Sequence, residues 1–185
     1  CMATYNGGKF IREQVDSILN QEFTENEGVE IELVVSDDGS TDDTIQILES
    51  YHDPRIKIFM HQNKKEHKYL NANRKASENF ENALMKAKGD YLFFSDQDDV
   101  WMPRKLDKSL SVLRKFGGIV ATAFEVGDER LQVMGKVVYN HHAPFFSFKD
   151  QLGCYGFSMG ICRDELKYIL PIPSMVAGHD KYIQY

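Results

Sequence analysis

The sequence predicts an α/β domain: a mostly parallel sheet flanked by helices, with a smaller antiparallel portion towards the C-terminus. Three observations carry that expectation. Short apolar runs alternate with segments of helical period three times before residue 90, the pattern of βαβ units with right-handed crossovers. From Gly117 onward the alternation shortens to two, as in antiparallel strands. Between the two regions stands Tyr91-Leu92-Phe93-Phe94-Ser95-Asp96-Gln97-Asp98-Asp99, an apolar run that ends in carboxylates. Unpaired carboxylates are too costly to bury in a core. The acids therefore belong at the strand's carboxyl end, in the crevice where open α/β sheets bind ligands.

In chain order, Cys1 to Thr4 reads as the tail of a first strand. Tyr5-Asn6-Gly7-Gly8 is a turn, because Asn and Gly tolerate positive φ. A helix follows over Phe10 to Gln21, with Ile11, Val15, Ile18 and Leu19 on one face. Glu30 to Ser36 is a second strand. It ends in Asp37-Asp38-Gly39-Ser40-Thr41-Asp42-Asp43, where Ser40 suits an N-cap and Asp42 and Asp43 favour a helix start. Asp37 and Asp38 precede that cap and have no such structural cause beyond turn chemistry. The helix runs to about Tyr51, and Arg55 to Met60 is a third strand. His61 to Asn71 is a polar loop whose Lys64, Lys65, His67 and Lys68 form a solvated face or meet a phosphate. Asn73 to Lys88 is a long helix, with Gly89 in the place of its C-cap. After the acidic strand, Pro103 opens a helix through Phe116, with Leu106, Leu110 and Leu113 inward. Trp101 reads as core or as a pocket wall. Strands are expected over Ile119 to Phe124, Arg130 to Val138 and Gly156 to Cys162. A short helix, Arg163 to Leu170, is broken by Pro171 and Pro173. Gly178-His179-Asp180 leads into a last helix.

The chain has 185 residues, the size of one domain, whose halves divide at residues 1–116 and 117–185. Hydrophobic residues at 42% and charged residues at 27% place it among soluble globular proteins. A net charge of −6 argues against nucleic acid as the main partner. A phosphorylated ligand would need local neutralisation, by a metal or a few basic groups. Cys1, Cys154 and Cys162 are too few and scattered for a disulfide framework or a zinc site, so a reduced, cytoplasmic setting is expected. No signal peptide and no apolar run of spanning length occur. Both ends read as cut within elements, so contact with the inner face of a membrane would have to come from segments outside this stretch.

Spacing by two puts Asp96 and Asp98 on one side of an extended backbone. Two such carboxylates repel unless a cation joins them, and hard oxygen ligands suit Mg²⁺ or Mn²⁺ held together with substrate phosphates. An EF-hand loop is excluded, because Val100 and Trp101 occupy its fifth and sixth positions. The Asp96-x-Asp98-x-Val100 pattern also resembles the first motif of haloacid-dehalogenase-like phosphatases. That motif sits on the first strand in those enzymes, and here three strand–helix units precede it.

Several blocks together resemble the family 2 inverting glycosyltransferases of GT-A fold. They are Ala3-Thr4-Tyr5-Asn6-Gly7, Ser36-Asp37-Asp38-Gly39-Ser40-Thr41-Asp42, Asn79-Phe80 with Ala83, Gly89 to Asp99, Gly153-Cys154 with Met159, and Gly178-His179-Asp180. The Phe-Phe-Ser-Asp-Gln-Asp-Asp-Val-Trp wording is most similar to rhamnosyltransferase-type members. The resemblance implies a nucleotide-diphosphate sugar donor, a divalent cation (Mn²⁺ or Mg²⁺), and a saccharide or lipid-linked saccharide acceptor, in cell-surface polysaccharide synthesis. It makes residues 1–116 the nucleotide-sugar half and 117–185 the acceptor-side half. It places Thr4, Tyr5 and Asn6 at the nucleoside and Asp37, with Asp38 beside it, at the base. Asn79 joins the substrate site, Asp98 and Asp96 serve the metal and sugar, and Asp180 is the general base. His179 stands where the family often has Glu. The alternatives are the phosphatase and a nucleotide-sugar-binding module without activity.

Overall fold

The computed structural model describes residues 1–26, 28–61, 72–137, 155–173, 179 and 183. Residues 62–71 of the polar loop, with its lysines, Phe145-Phe146-Ser147-Phe148, Cys154 and Asp180 lie outside the described residues. The elements run β1 (Met2–Thr4), α1 (Ile11–Leu19), β2 (Leu33–Asp37), α2 (Thr44–Ser50), β3 (Ile56–Met60), α3 (Ala72–Lys86), β4 (Tyr91–Phe93), α4 (Lys105–Phe116), β5 (Ile119–Ala121), β6 (Phe124–Gly127), β7 (Val133–Val137), β8 (Met159–Cys162) and α5 (Leu166–Ile169).

β1, β2 and β3 pair in parallel, in the order of the chain. β8 inserts between β4 and β5 and is antiparallel to both. A parallel bridge from Met2 to Ser95 joins the two sheets, with Ser95 N donating to Cys1 O at 2.9 Å. The spatial order is therefore β3-β2-β1-β4-β8-β5, and β6 with β7 forms a separate hairpin. The expected mixed architecture, parallel first and antiparallel after Gly117, is what forms.

Period-two alternation divides the core between the sheet's faces. Leu33, Val35 and Phe93 join Ile11, Val15, Ile18, Leu110 and Leu113 of α1 and α4. Val34, Leu92 and Phe94 join Phe80, Ala83 and Leu84 of α3 with Met159 and Ile161. Trp101 is buried in the first cluster, so its core reading holds. Two helix ends differ from expectation. Ser40 does not cap α2, whose N-cap position is Asp43; Asp42 Oδ1, one residue earlier, accepts from Thr44 N at 3.1 Å. Gly89 is not in the left-handed region; Glu32 Oε1 accepts from Lys88 N and Gly89 N beyond the end of α3. In both places a nearby carboxylate satisfies the backbone donors, so the residue proposed for the cap is released from it.

Candidate functional site: the β1/β4 crevice

The strand order reverses between β1 and β4. β2 and β3 lie on one side of that point, β8 and β5 on the other. A reversal leaves the connecting loops diverging at the strands' carboxyl ends, which opens a crevice. A cavity of about 570 Å³ occupies it, lined by Ala3, Thr4, Tyr5, Asp38, Gly39, Lys75, Ala76, Asn79, Phe80, Asp96, Gln97 and Asp98. That volume suits a small-molecule ligand. A second cavity, of about 440 Å³, opens among Glu30, Leu33, Tyr91 and Arg114; none of the expected site residues lines it.

Thr4, Tyr5, Asp38, Asn79, Asp96 and Asp98 thus come together, from β1, the β2 exit, α3 and the β4 exit. Asp37 and Asn6 do not line the cavity. Asp37 is fully buried behind it. Its Oδ1 accepts from Thr4 Oγ1 at 2.9 Å and Ser40 Oγ at 2.5 Å, and its Oδ2 from Gly39 N at 2.9 Å and Ser40 N at 2.8 Å. Four hydrogen bonds fill this carboxylate, so it organises the loop instead of meeting solvent. Asn6 adopts φ +51° and its Oδ1 accepts from Thr41 N at 2.8 Å, tying the β1 exit to the same loop. Asp38 contacts His61 Nδ1 at 3.0 Å.

Asp96 and Asp98 do not lie on one side of an extended strand. The backbone turns at Gln97 and Asp98. The cause is Gln97, which the sequence reading passed over. Its Oε1 accepts from Tyr5 N at 2.9 Å and its Nε2 donates to Tyr5 O at 3.1 Å, in the manner of a strand pair. A Cβ on Gly7 would fall 2.3 Å from Gln97 Oε1, so glycine there makes room for the amide. The middle residue of the acidic motif thereby locks the turn to the β1 exit.

Two further lining residues carry charge or polarity. Lys75 is the one cation among the described residues that line the cavity. Its signal in the sequence is its place one helical turn before Asn79 on α3. Asn79 Nδ2 donates to Thr4 O at 3.1 Å, while its buried Oδ1 has no hydrogen-bond partner among the described residues. Buried amide oxygens are normally satisfied, so this one can still accept a hydrogen bond.

Behind the turn, burial first and then the Asp98 charge push the Asp99 carboxyl up to about 6, against the pull of Lys105. Burial brings Lys105 down to about 8, opposed by Asp99 and Asp96. The Lys105 ammonium donates to Phe157 O at 2.6 Å and lies 4.1 Å from the Trp101 ring centroid. His179, buried, packs 4.4 Å from the Phe80 ring centroid, and a Cβ on Gly156 would meet its Nε2 at 2.4 Å. Ser77 Oγ accepts from His179 N at 2.9 Å. These contacts give His179 a packing role.

Among the described residues no three His, Cys, Asp or Glu side chains surround one point. Asp96 and Asp98, lining one cavity, nevertheless offer the hard oxygen set that Mg²⁺ or Mn²⁺ takes when ligand phosphates complete its shell.

An open α/β sheet with polar groups gathered at its switch point defines a class of ligand-binding α/β domains. The chain belongs to glycosyl transferase family 2, whose model matches residues 1–168. A putative glycosyltransferase of Bacillus subtilis, EpsE, is 33% identical over 133 residues, 69% of this chain and 43% of that protein. The chain thus spans less than half the length of that relative. Staphylococcus aureus TarS shares the fold at TM-score 0.70 and 21% identity, over 99% of this chain and 32% of that one. The Pyrobaculum calidifontis mannosyltransferase PcManGT, solved with GDP-Man and Mn²⁺, aligns at TM-score 0.66 and 20% identity, over 98% and 49%. The phosphatase reading is not favoured by these matches, and its motif follows β4, not a first strand.

Proposed function

We propose that the chain binds a nucleoside-diphosphate sugar in the β1/β4 crevice and transfers the sugar, with inversion, to a hydroxyl of a saccharide or lipid-linked saccharide acceptor in cell-surface polysaccharide synthesis. The observation that carries this reading is the convergence of Asp96, Asp98, Lys75, Asn79 and Thr4 on one cavity at the sheet's switch point. Tyr5 and Asp38 hold the nucleoside. Asp37 contributes through the Gly39–Ser40 loop that it fastens. Asp98 is the direct ligand of a divalent cation, with Asp96 beside it towards the sugar. When bound, that cation neutralises the charge that builds on the departing diphosphate. Lys75 adds a positive charge to the same wall. Asn79 Oδ1 accepts a hydrogen bond from a donor hydroxyl.

Asp180, outside the described residues, takes the proton from the acceptor hydroxyl as its oxygen attacks the anomeric carbon. The new C–O bond forms as the bond to the diphosphate oxygen breaks. The leaving group takes that electron pair, and a single displacement inverts the centre. No helix of the described residues is long and apolar enough to cross a membrane.

Titration calorimetry with UDP-, GDP- and dTDP-sugars, with and without Mn²⁺, tests the donor site. One nucleotide sugar is expected to bind in a Mn²⁺-dependent way, and Asp98→Ala to remove that dependence. Binding of none of the three would overturn the reading. Unchanged binding by Asp98→Ala would overturn the metal assignment alone.

A further inference from the structure

The sheet's carboxyl edge holds a second group of side chains, one strand beyond the acids. β4 and β8 pair with Phe93 opposite Gly160, and Phe94 N donates to Met159 O at 3.2 Å. Before Met159 the chain leaves the ladder as a single 3-10 turn, Gly156–Ser158, so Phe157 lies two residues from the Phe94–Met159 hydrogen bond at the β4 exit. β5 and β8 pair with Ala121 opposite Met159, and Thr122 N donates to Ser158 O at 3.0 Å. Phe124 opens β6 two residues past Thr122, and its ring contacts those of Tyr155 and Phe157. Phe124 lies 4.9 Å from Phe157 and 5.3 Å from Tyr155 between centroids, both edge-on, and Tyr155 stacks on Phe157 at 5.7 Å. Tyr155 keeps 43% of its surface exposed. The Lys105 bond to Phe157 O ties this trio to the acidic turn, because Asp96 and Asp99 are the charges that act on Lys105.

We infer that Phe124, Tyr155 and Phe157 form the acceptor subsite, a stacking platform for the C–H face of a pyranose ring. An aromatic face carries negative charge density and a sugar's C–H face is weakly positive, so the two pack with a defined orientation. Such a platform reads ring shape while leaving the hydroxyls free, as a transferase needs of the group it glycosylates. Its position across β8 from the crevice sets the acceptor beside the Asp96 side of the donor site. The inference rests on the proposed transfer reaction and names where its second substrate sits.

The test is saturation-transfer NMR on the chain with methyl glycosides of glucose, galactose, N-acetylglucosamine and rhamnose, irradiating the protein's aromatic resonances. At least one glycoside is expected to receive saturation from wild type. Phe124→Leu and Tyr155→Leu keep apolar volume but remove the ring, and each should weaken that binding about tenfold. Tyr155→Phe should retain it. Thermal unfolding of the same variants reports the fold, and nucleotide-sugar titration reports the donor site. Leucine variants that bind glycosides as wild type does would reduce the trio to packing and overturn the subsite. So would a wild type that binds donor sugars and takes up no saturation in any of the four glycosides. Failure of donor binding itself would instead strike the transferase reading.

Discussion

At the scale of single residues, the site depends as much on neutral side chains as on its acids. Asp96, Asp98 and Asp38 stood out in the sequence because acids after an apolar run have few structural causes, whereas Thr4, Tyr5 and Asn79 came from the resemblance to the family; all six line the one cavity. Gln97 and Lys75 were not legible, because their roles depend on groups far away in the chain. Gln97 makes two hydrogen bonds to Tyr5 and sets the turn that carries Asp98. Gln97→Ala is expected to weaken nucleotide-sugar binding by about tenfold, since each such bond is worth about 1 kcal/mol. Calorimetry measures the loss, and Gln97→Glu should fare no better, because a carboxylate cannot donate to Tyr5 O. Asp107 is the opposite case, an acid with no part in the site. Burial works against its charge, but bonds from Arg104, Asn26 and the backbone of Glu25 and Thr24 outweigh it and hold the carboxyl well below the usual range. A carboxyl depressed in the folded state stabilises above its unfolded pKa, near 4, and loses that contribution as pH falls towards the folded value. Asp107→Asn should therefore unfold at lower temperature at neutral pH and show a shallower decline in acid than wild type. Parallel curves of melting temperature against pH would contradict this.

At the scale of elements, the parallel half was readable and the order of the sheet was not. β1 to β3 follow from local alternation and turn chemistry, because each pairs with the strand next to it in sequence, whereas β4 pairs only with distant β1 and β8. β8 comes from the far end of the chain and enters between β4 and β5. Period-two alternation identifies a strand but not its partner. What fits β8 to its place is a glycine. A Cβ on Gly160 would fall 2.3 Å from Phe93 Cε1, and Phe93 belongs to the core. Gly160→Ala is expected to destabilise the fold by about 1–3 kcal/mol through overpacking, seen as a lower denaturant midpoint at an unchanged slope. Because Phe93 stands three residues before Asp96, the variant should also weaken donor binding. If the cost of the added methyl is overpacking alone, Phe93→Leu in the same chain should recover part of the lost stability.

At the scale of the whole molecule, the site exists only once the sheet has formed. Its lining comes from β1, β2, α3 and β4, segments that meet through the Met2–Ser95 bridge and the parallel ladder. A ligand that binds this assembled crevice binds the native state alone, so its affinity must appear as stability. At a hundredfold excess over its Kd, a nucleotide sugar adds about 2.7 kcal/mol. For a domain of this size that corresponds to a rise in melting temperature of about 5–10 °C. The sign of the charges then decides what the metal does. The chain is −6 overall, and the crevice carries Asp38, Asp96 and Asp98 against Lys75 alone among its described lining residues. A diphosphate entering that field without a cation is repelled, so chelation with EDTA should abolish most of the thermal shift. Mn²⁺ should restore it in wild type but not in Asp98→Ala. A shift of full size in EDTA would mean that Lys75 and the backbone amides at the β1 and β2 exits neutralise the diphosphate, and that Asp98 serves the sugar instead of a metal.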